Sequence, residues 1–317
     1  MLCSRGEPGN WPIVSSSFGQ FDLAGFAKSS SYWYRAQWLA AVNSSDTGRP
    51  VLPSQHVVRV SQSWERPPWQ NETIDSLVVF SDLPLIEVFV NNRSLGEVAC
   101  DFLGYAQFTN VKYEPGNLTA VARASHLGEN LATHTQLTAG APHQLILTLD
   151  APSVATGTGS ALLLDGHDAA LVRATVVDEN GITVDSNITI GFNVIKGPGR
   201  VIGVHNGNAS SHEPQTSSTR MAYHGLARAV VKVTVDAASE NMELQKRIHV
   251  VCGEDCSTHI GLPTDSSAVE TGIVVTADAV GLPTANITIP VSVNARAHSV
   301  LATAAIAARA GTALSFH

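Results

Sequence analysis

The chain has 317 residues, of which 44% are hydrophobic and 15% charged, and its formal net charge is −8. That length suits two or three ordinary domains, and the acidic balance presents no basic surface for nucleic acid or an anionic membrane. Plentiful Ser, Thr, Val and Ala with few charges suit β-sandwiches better than helical bundles.

Residues 1–47 begin with a Gly/Pro-rich lead-in, Gly6-Glu7-Pro8-Gly9-Asn10-Trp11-Pro12. Phe18, Phe21 and Leu23 are apolar, Ala24-Gly25-Phe26 reads as a turn, and Ser29 to Ser31 offer hydroxyls suited to capping a helix. Tyr32, Trp33, Tyr34, Trp38 and Leu39 then crowd large apolar groups into an amphipathic helix that must dock on something larger. A loop, a turn and a helix in this order are the grammar of a β-to-α connection in an α/β fold, which needs neighbouring strands to be stable. Ser45 to Gln55 is a polar connector and a domain boundary.

From 57 to 139 the pattern changes. Leu77-Val78-Val79-Phe80 and Ile86-Glu87-Val88-Phe89-Val90 precede the turn Asn91-Asn92-Arg93-Ser94-Leu95-Gly96, and Leu118 to Ala122 follows the turn at Pro115-Gly116-Asn117. Apolar alternation broken by Gly and Asn turns predicts a half-buried antiparallel sheet. Residues 142–295 repeat that grammar. Gln144 to Leu149, Ala169 to Val177, Ile188 to Val194 and Arg200 to Val204 predict an immunoglobulin-like sandwich, with a hairpin turn at Asp178-Glu179-Asn180-Gly181. The pattern lapses over about 236–271, read as an insertion, and resumes at Gly272-Ile273-Val274-Val275. Residues 296–317 are an Ala-rich tail.

Ser17-Phe18-Gly19, Asp22-Leu23-Ala24-Gly25-Phe26, Lys28 and Tyr32-Trp33-Tyr34-Arg35 together resemble the last loop and closing helix of the catalytic barrel of glycoside hydrolase family 2, the β-galactosidase and β-glucuronidase type. The segment Val79 to Gly96 is similar to the β-domain that follows that barrel, with Asn92 where the family's turn has Gly; Asn tolerates a positive φ. Gly197-Pro198-Gly199-Arg200, Asn206-Gly207, His212-Glu213-Pro214 and Gly225-Leu226-Ala227 resemble the family's bacterial-immunoglobulin-like C-terminal domain. The expected fold is therefore mainly β: two immunoglobulin-like β-sandwiches after a short α/β remnant of a TIM barrel.

In that family two glutamates on barrel strands carry out retaining hydrolysis of terminal β-glycosides. No Glu of this chain matches either motif, so the resemblance transfers no catalytic residue and implies a chain inactive by itself. Glu7 and Trp11, in the lead-in beside the family's active site, are the candidate sugar contacts, since pyranose C–H groups pack on aromatic rings. The resemblance implies no cofactor and no metal. The expected partners are β-glycosides in the full enzyme and a chain carrying the missing barrel, with no nucleic acid and no membrane. The alternative is a non-catalytic carbohydrate-binding or structural β-sandwich protein; a binding role would need an exposed aromatic platform, and the β-domains are poor in Trp beyond Trp64 and Trp69, which weakens it.

Seven Asn-x-Ser/Thr triplets, at Asn43, Asn71, Asn92, Asn117, Asn187, Asn208 and Asn286, are N-glycosylation sequons and point to a secreted or extracellular setting. The first twelve residues contain no apolar leader, and Val300 to Leu314, broken by Arg309, is too short for a span. Sequons without a leader imply an N-terminus lying further upstream, in a truncated gene or a degenerate copy. Cys252 and Cys256 form either a local disulfide or two free thiols, and Cys3 and Cys100 stand alone. His205, His212, His224 and Glu213 lie close in sequence without metal-ligand spacing, and Asp165-Gly166-His167-Asp168 reads as a turn.

Overall fold

The computed structural model describes residues 10–16, 18–44, 56–65, 72–234 and 272–292. Two compact units divide the chain: one holds residues 1–140 with 207–211, the other 141–206 with 212–317. The Cys252/Cys256 pair, Cys3, Glu7, Asn71, Trp69, the segment read as an insertion and the Ala-rich tail lie outside the described residues.

In the first unit, helix α1 (Ser29–Ser44) precedes seven strands: β1 (Val58–Val60), β2 (Thr73–Ser81), β3 (Leu85–Val90), β4 (Arg93–Ala99), β5 (Tyr105–Lys112), β6 (Asn117–Arg123) and β7 (Ala132–Leu137). They form an antiparallel sandwich with one sheet ordered β1-β2-β5 and the other β4-β3-β6-β7. The inward positions of β2 and β3 alternate along each strand, and Leu77, Val79, Ile86, Val88 and Val90 are fully enclosed. Leu118, Ala120 and Ala122 of β6 close the core from the same sheet, and Trp64 packs beside them with its ring 5.0 Å from that of Tyr113. Each large apolar side chain buried this way contributes about 1.5–3 kcal/mol.

The β3–β4 connection is a two-residue hairpin. Asn91 and Asn92 have φ of 47° and 65°, and Val90 pairs with Arg93. Both central residues are left-handed, as a turn matching the twist of its strands requires. Asn92 thus replaces Gly without losing the turn.

The second unit contains β8 (Gln144–Ala151), β9 (Leu162–Leu163), β10 (Ala169–Val177), β11 (Thr189–Lys196), β12 (Gly199–His205), β13 (Thr219–Met221), β14 (Leu226–Val233), β15 (Ile273–Ala279), β16 (Ala285–Ile289) and β17 (Val291–Ser292). Two four-stranded sheets, β12-β14-β10-β8 and β13-β11-β15-β16, make its sandwich, and β17 pairs in parallel with β9. Val172, Val231, Val233, Ile273, Val275 and Ile289 fill the interior. Mainly β architecture with two immunoglobulin-like sandwiches is therefore what the chain adopts.

One expectation needs correcting. Ser29 to Ser31 do not cap α1: the Ser31 hydroxyl donates to the Lys28 carbonyl at 2.7 Å and the Ser29 hydroxyl to the Ser61 carbonyl at 2.8 Å. These hydroxyls satisfy carbonyls, so the Ser29 side chain ties the helix to the segment after β1. Among the described residues, 10–44 hold turns, one isolated bridge between Phe21 and Ala27, and α1, while the start of the lead-in, residues 1–9, lies outside the described residues. Strands β5, β7, β13 and β14 carry little apolar alternation to read in the sequence, because it is diluted by Thr, Gln or Arg.

Candidate functional site

The residues that carry the family resemblance build a turn and then a helix. The Asp22 carboxylate accepts the backbone N–H groups of Ala24 and Phe26, each at 2.9 Å, while the Asp22 carbonyl accepts that of Gly25 at 3.0 Å. The Asp22 N–H in turn donates to the Phe26 carbonyl at 3.0 Å, and that of Lys28 to the Gln20 carbonyl at 2.9 Å. Gly25 sits at φ 80°, a left-handed position that glycine adopts without a Cβ penalty. Ala24 and Phe26 point inward, whereas Phe18 (70% exposed) and Phe21 (48%) point out. Asp22-Leu23-Ala24-Gly25-Phe26 is thus a turn motif whose only carboxylate is occupied by backbone donors.

Helix α1 presents two faces. On one, Ala36 is completely buried, the Trp33 indole N–H donates to the Leu103 carbonyl at 2.7 Å, and the Gln37 amide donates to the same carbonyl at 2.5 Å. Residues 33 and 37 are one turn apart, so both reach one acceptor. Gly104 makes this approach possible. It sits at φ 72°, and a Cβ there would come within 2.3 Å of the Gln37 amide nitrogen. On the other face Tyr34, Trp38 and Val42, spaced by four residues, form an apolar stripe that is 38%, 65% and 43% exposed. Phe102, on the loop held by Leu103, is 90% exposed. A helix that already docks on a sandwich gains nothing in water from a second, exposed apolar stripe.

Polar contacts pin this region. The Arg59 guanidinium lies over the Tyr32 ring, 4.5 Å from its centroid, and donates to His134 Nε2 at 2.8 Å. A guanidinium can only donate, so Nε2 accepts and the imidazole is neutral. Burial and then the Arg59 charge bring the His134 pKa down to about 4. The enclosed Asp82 carboxylate meets His56 Nδ1 and the Val57 N–H, both at 2.6 Å, fixing the entry to β1. Burial, followed by the charges of Asp101 and Asp82, pushes the Cys100 thiol up to about 12, which makes it a poor nucleophile.

The other singled-out residues separate into local roles. His224 meets the Asp185 carboxylate at 3.2 Å, while Glu213 accepts the Met221 N–H and pairs with Arg220. Burial and then the charge of Arg220 lower the His205 pKa. The His/Glu group therefore does not converge, and among the described residues no three His, Cys, Asp or Glu side chains gather as a metal cluster. Asp165 accepts the N–H groups of His167 and Asp168, and Asp168 accepts that of Leu163, which makes the turn that the sequence implied. Trp64, 1% exposed, is a core residue and no sugar platform. Trp11 is 81% exposed. What sequence reading missed is the Leu103 carbonyl. A backbone acceptor has no residue signature, and Gly104 beside it is the one sequence signal that could have marked the close approach.

Comparison with known proteins places these features in a family. Residues 155–245 match the family model described as Glycoside hydrolase family 2 C-terminal domain 5, and residues 72–129 match a domain of unknown function. The chain is 32% identical over 226 residues to Beta-galactosidase BoGH2A of Bacteroides ovatus, covering 71% of this chain and 23% of that protein. It is 26% identical over 202 residues to a beta-galactosidase of Thermoanaerobacter pseudethanolicus, covering 58% of this chain and 24% of that one. In fold it is similar to a beta-glycosidase from Bacteroides vulgatus, with a TM-score of 0.64 at 20% identity over 88% of this chain and 29% of that chain. A family 2 hydrolase from Bacteroides cellulosilyticus gives a TM-score of 0.63 at 21% identity, over 86% and 32%. The chain is related to the family 2 glycoside hydrolases of the β-galactosidase and β-glucuronidase type, and it shares their C-terminal part. It spans about a quarter of the length of the curated relatives it matches.

Proposed function

We propose that this chain serves as the non-catalytic C-terminal portion of a retaining β-glycosidase. In this reading residues 1–47 close a TIM barrel, 57–139 form the sandwich that follows it, and 142–295 form the terminal sandwich. The catalytic carboxyl pair, about 5 Å apart in retaining enzymes, belongs to the barrel and not to these residues. The observation that carries the reading is the exposed stripe Tyr34-Trp38-Val42 on a helix whose other face is already docked. A barrel wall is the cover it fits, because a barrel helix must be apolar towards its strands. Trp11, which is exposed, and Glu7 are assigned to the rim of the sugar site.

The test is to join the 317 residues to an upstream frame encoding a barrel with two glutamates and assay both forms on a chromogenic β-galactoside and β-glucuronide. The joined polypeptide should turn over one of them, and the 317-residue chain neither. Turnover by the shorter chain alone would overturn the reading.

A further inference from the structure

Five of the sequon asparagines have described side chains, and they differ in what their amides do. Asn92, Asn117, Asn187 and Asn286 are exposed, and among the described residues none of their side-chain amides is tied into a hydrogen bond. Asn208 is partly buried and its side-chain oxygen accepts the Ser210 N–H at 2.9 Å, closing its own turn.

Asn92 and Asn117 are neighbours by construction of the sheet. The Asn91 side chain, not that of Asn92, holds the two turns together: its oxygen accepts the Asn117 N–H at 2.8 Å and its amide donates to the Pro115 carbonyl at 3.0 Å. The Asn91 N–H also donates to the Asn117 carbonyl at 2.9 Å. Division of labour between adjacent asparagines leaves the Asn92 amide outward at the hairpin tip. This end of the sheet is where Val90 pairs with Arg93 and Leu118. The other end, where Leu85 pairs with Ala99 and Arg123, carries the Cys100 to Gly104 loop that holds α1. The intervening length of β3 is about 17 Å at the usual rise per residue. Asn286 lies on β16, the edge strand of its sheet, with the sequon's Thr288 exposed on the same face. A glycan there would cover an edge otherwise open to strand addition.

We propose that Asn92, Asn117, Asn187 and Asn286 are N-glycan attachment sites and that Asn208 is not. The ligand class is an oligosaccharide carried on a polyprenyl pyrophosphate. The amide Nδ2 attacks sugar C1, the N–C1 bond forms, the C1–O bond to pyrophosphate breaks, and polyprenyl pyrophosphate leaves with the electron pair while the amide loses one proton to a transferase base. The folded chain tolerates the product at these four sites because each side chain already faces solvent. At Asn208 the turn bond uses the side-chain oxygen and would survive, but the side chain is partly buried, so a sugar on its Nδ2 would have to displace what covers it. The inference is independent of the reading of α1, but it places two glycans at the end of the first unit away from the aromatic stripe.

The experiment is secretion of the full chain from a eukaryotic host behind a cleavable leader, followed by peptide N-glycosidase treatment in ¹⁸O-water and peptide mapping. The folded fraction should carry ¹⁸O-labelled aspartate at positions 92, 117, 187 and 286 and none at 208. An unlabelled site among the four, or label at 208, overturns the proposal. Translation with microsomes maps the same sites without requiring export. There Ser94→Ala and Thr119→Ala, which remove the acceptor hydroxyls, should each abolish label only at the asparagine two residues upstream; unchanged label would equally overturn it.

Discussion

The indole N–H of Trp33 donates to the backbone carbonyl of Leu103 at 2.7 Å, across a sequence separation of 70 residues. This bond, its companion from Gln37 and the Ser29 hydroxyl's bond to the Ser61 carbonyl join α1 to the first sandwich by direction rather than by apolar contact alone. Trp33→Phe keeps most of the ring and removes one donor, and should cost about 1 kcal/mol in urea unfolding of the first unit. Trp33→Phe with Gln37→Leu strips the Leu103 carbonyl of both side-chain donors, so the double variant should lose more than the sum of the singles. Additive losses would show that the carbonyl is satisfied in another way.

Trp38 offers the contrasting case. It is 65% exposed, so Trp38→Ser should change stability of the 317-residue chain by no more than about 0.5 kcal/mol. The same change should lower the fluorescence of an apolar dye bound to the chain, because it removes the largest ring from the stripe. A large stability loss would mean that the helix packs on this face already.

His134 sets a pH dependence. Its folded pKa, about 4, lies below the ordinary 6.5, because burial and Arg59 disfavour the cation. Unfolding therefore takes up a proton between these values, and stability from this residue is complete above about pH 6.5 and declines as pH falls towards 4. Below that window both states are protonated and the decline from this group ends. His134→Gln should flatten the profile of urea midpoints between pH 6.5 and 4, and an unchanged slope would assign the acid sensitivity to other groups.

Asp150 neutralises two cations that face each other across strands. Arg173 and Arg228 are directly paired in register, and Asp150 bonds the first at 3.1 Å and the second through its other oxygen. Asp150→Asn would leave two opposed guanidinium groups and should destabilise the second unit by about 1–3 kcal/mol. The loss should shrink in high salt, which screens the exposed Arg173 more than the enclosed Arg228.

The Asn91-Asn92 hairpin gives a backbone test. Asn92→Gly should leave stability unchanged or raise it slightly, while Asn92→Val, β-branched at φ 65°, should cost about 1–2 kcal/mol by thermal or urea unfolding.

Legibility in the sequence followed the strength of local signals. Strands β2, β3, β6 and β10 bury alternate apolar residues, so period two is written in their composition. The polar edge strand β7 reads Ala-Thr-His-Thr-Gln-Leu and buries no residue completely, which leaves little in composition to find. Strand β14 is central and well buried, but Arg228 and Lys232 interrupt its apolar run, and only pairing with β10 and β12 explains them.

The opening segment divides in the same way. Asp22-Leu23-Ala24-Gly25-Phe26 could be recognised because a carboxylate two and four residues from its N–H partners, with glycine at the left-handed position, is a local device. A crowded aromatic helix after it was equally local. Which rings would be covered was not, because that depends on Leu103, Gly104 and Arg59 arriving from distant strands. Sequence alone determined the family, the turns and the strand grammar, all of which rest on residues near one another in the chain. Tertiary structure decided that Trp33 is bonded and Trp38 exposed, since solvent exposure is a property of what packs alongside.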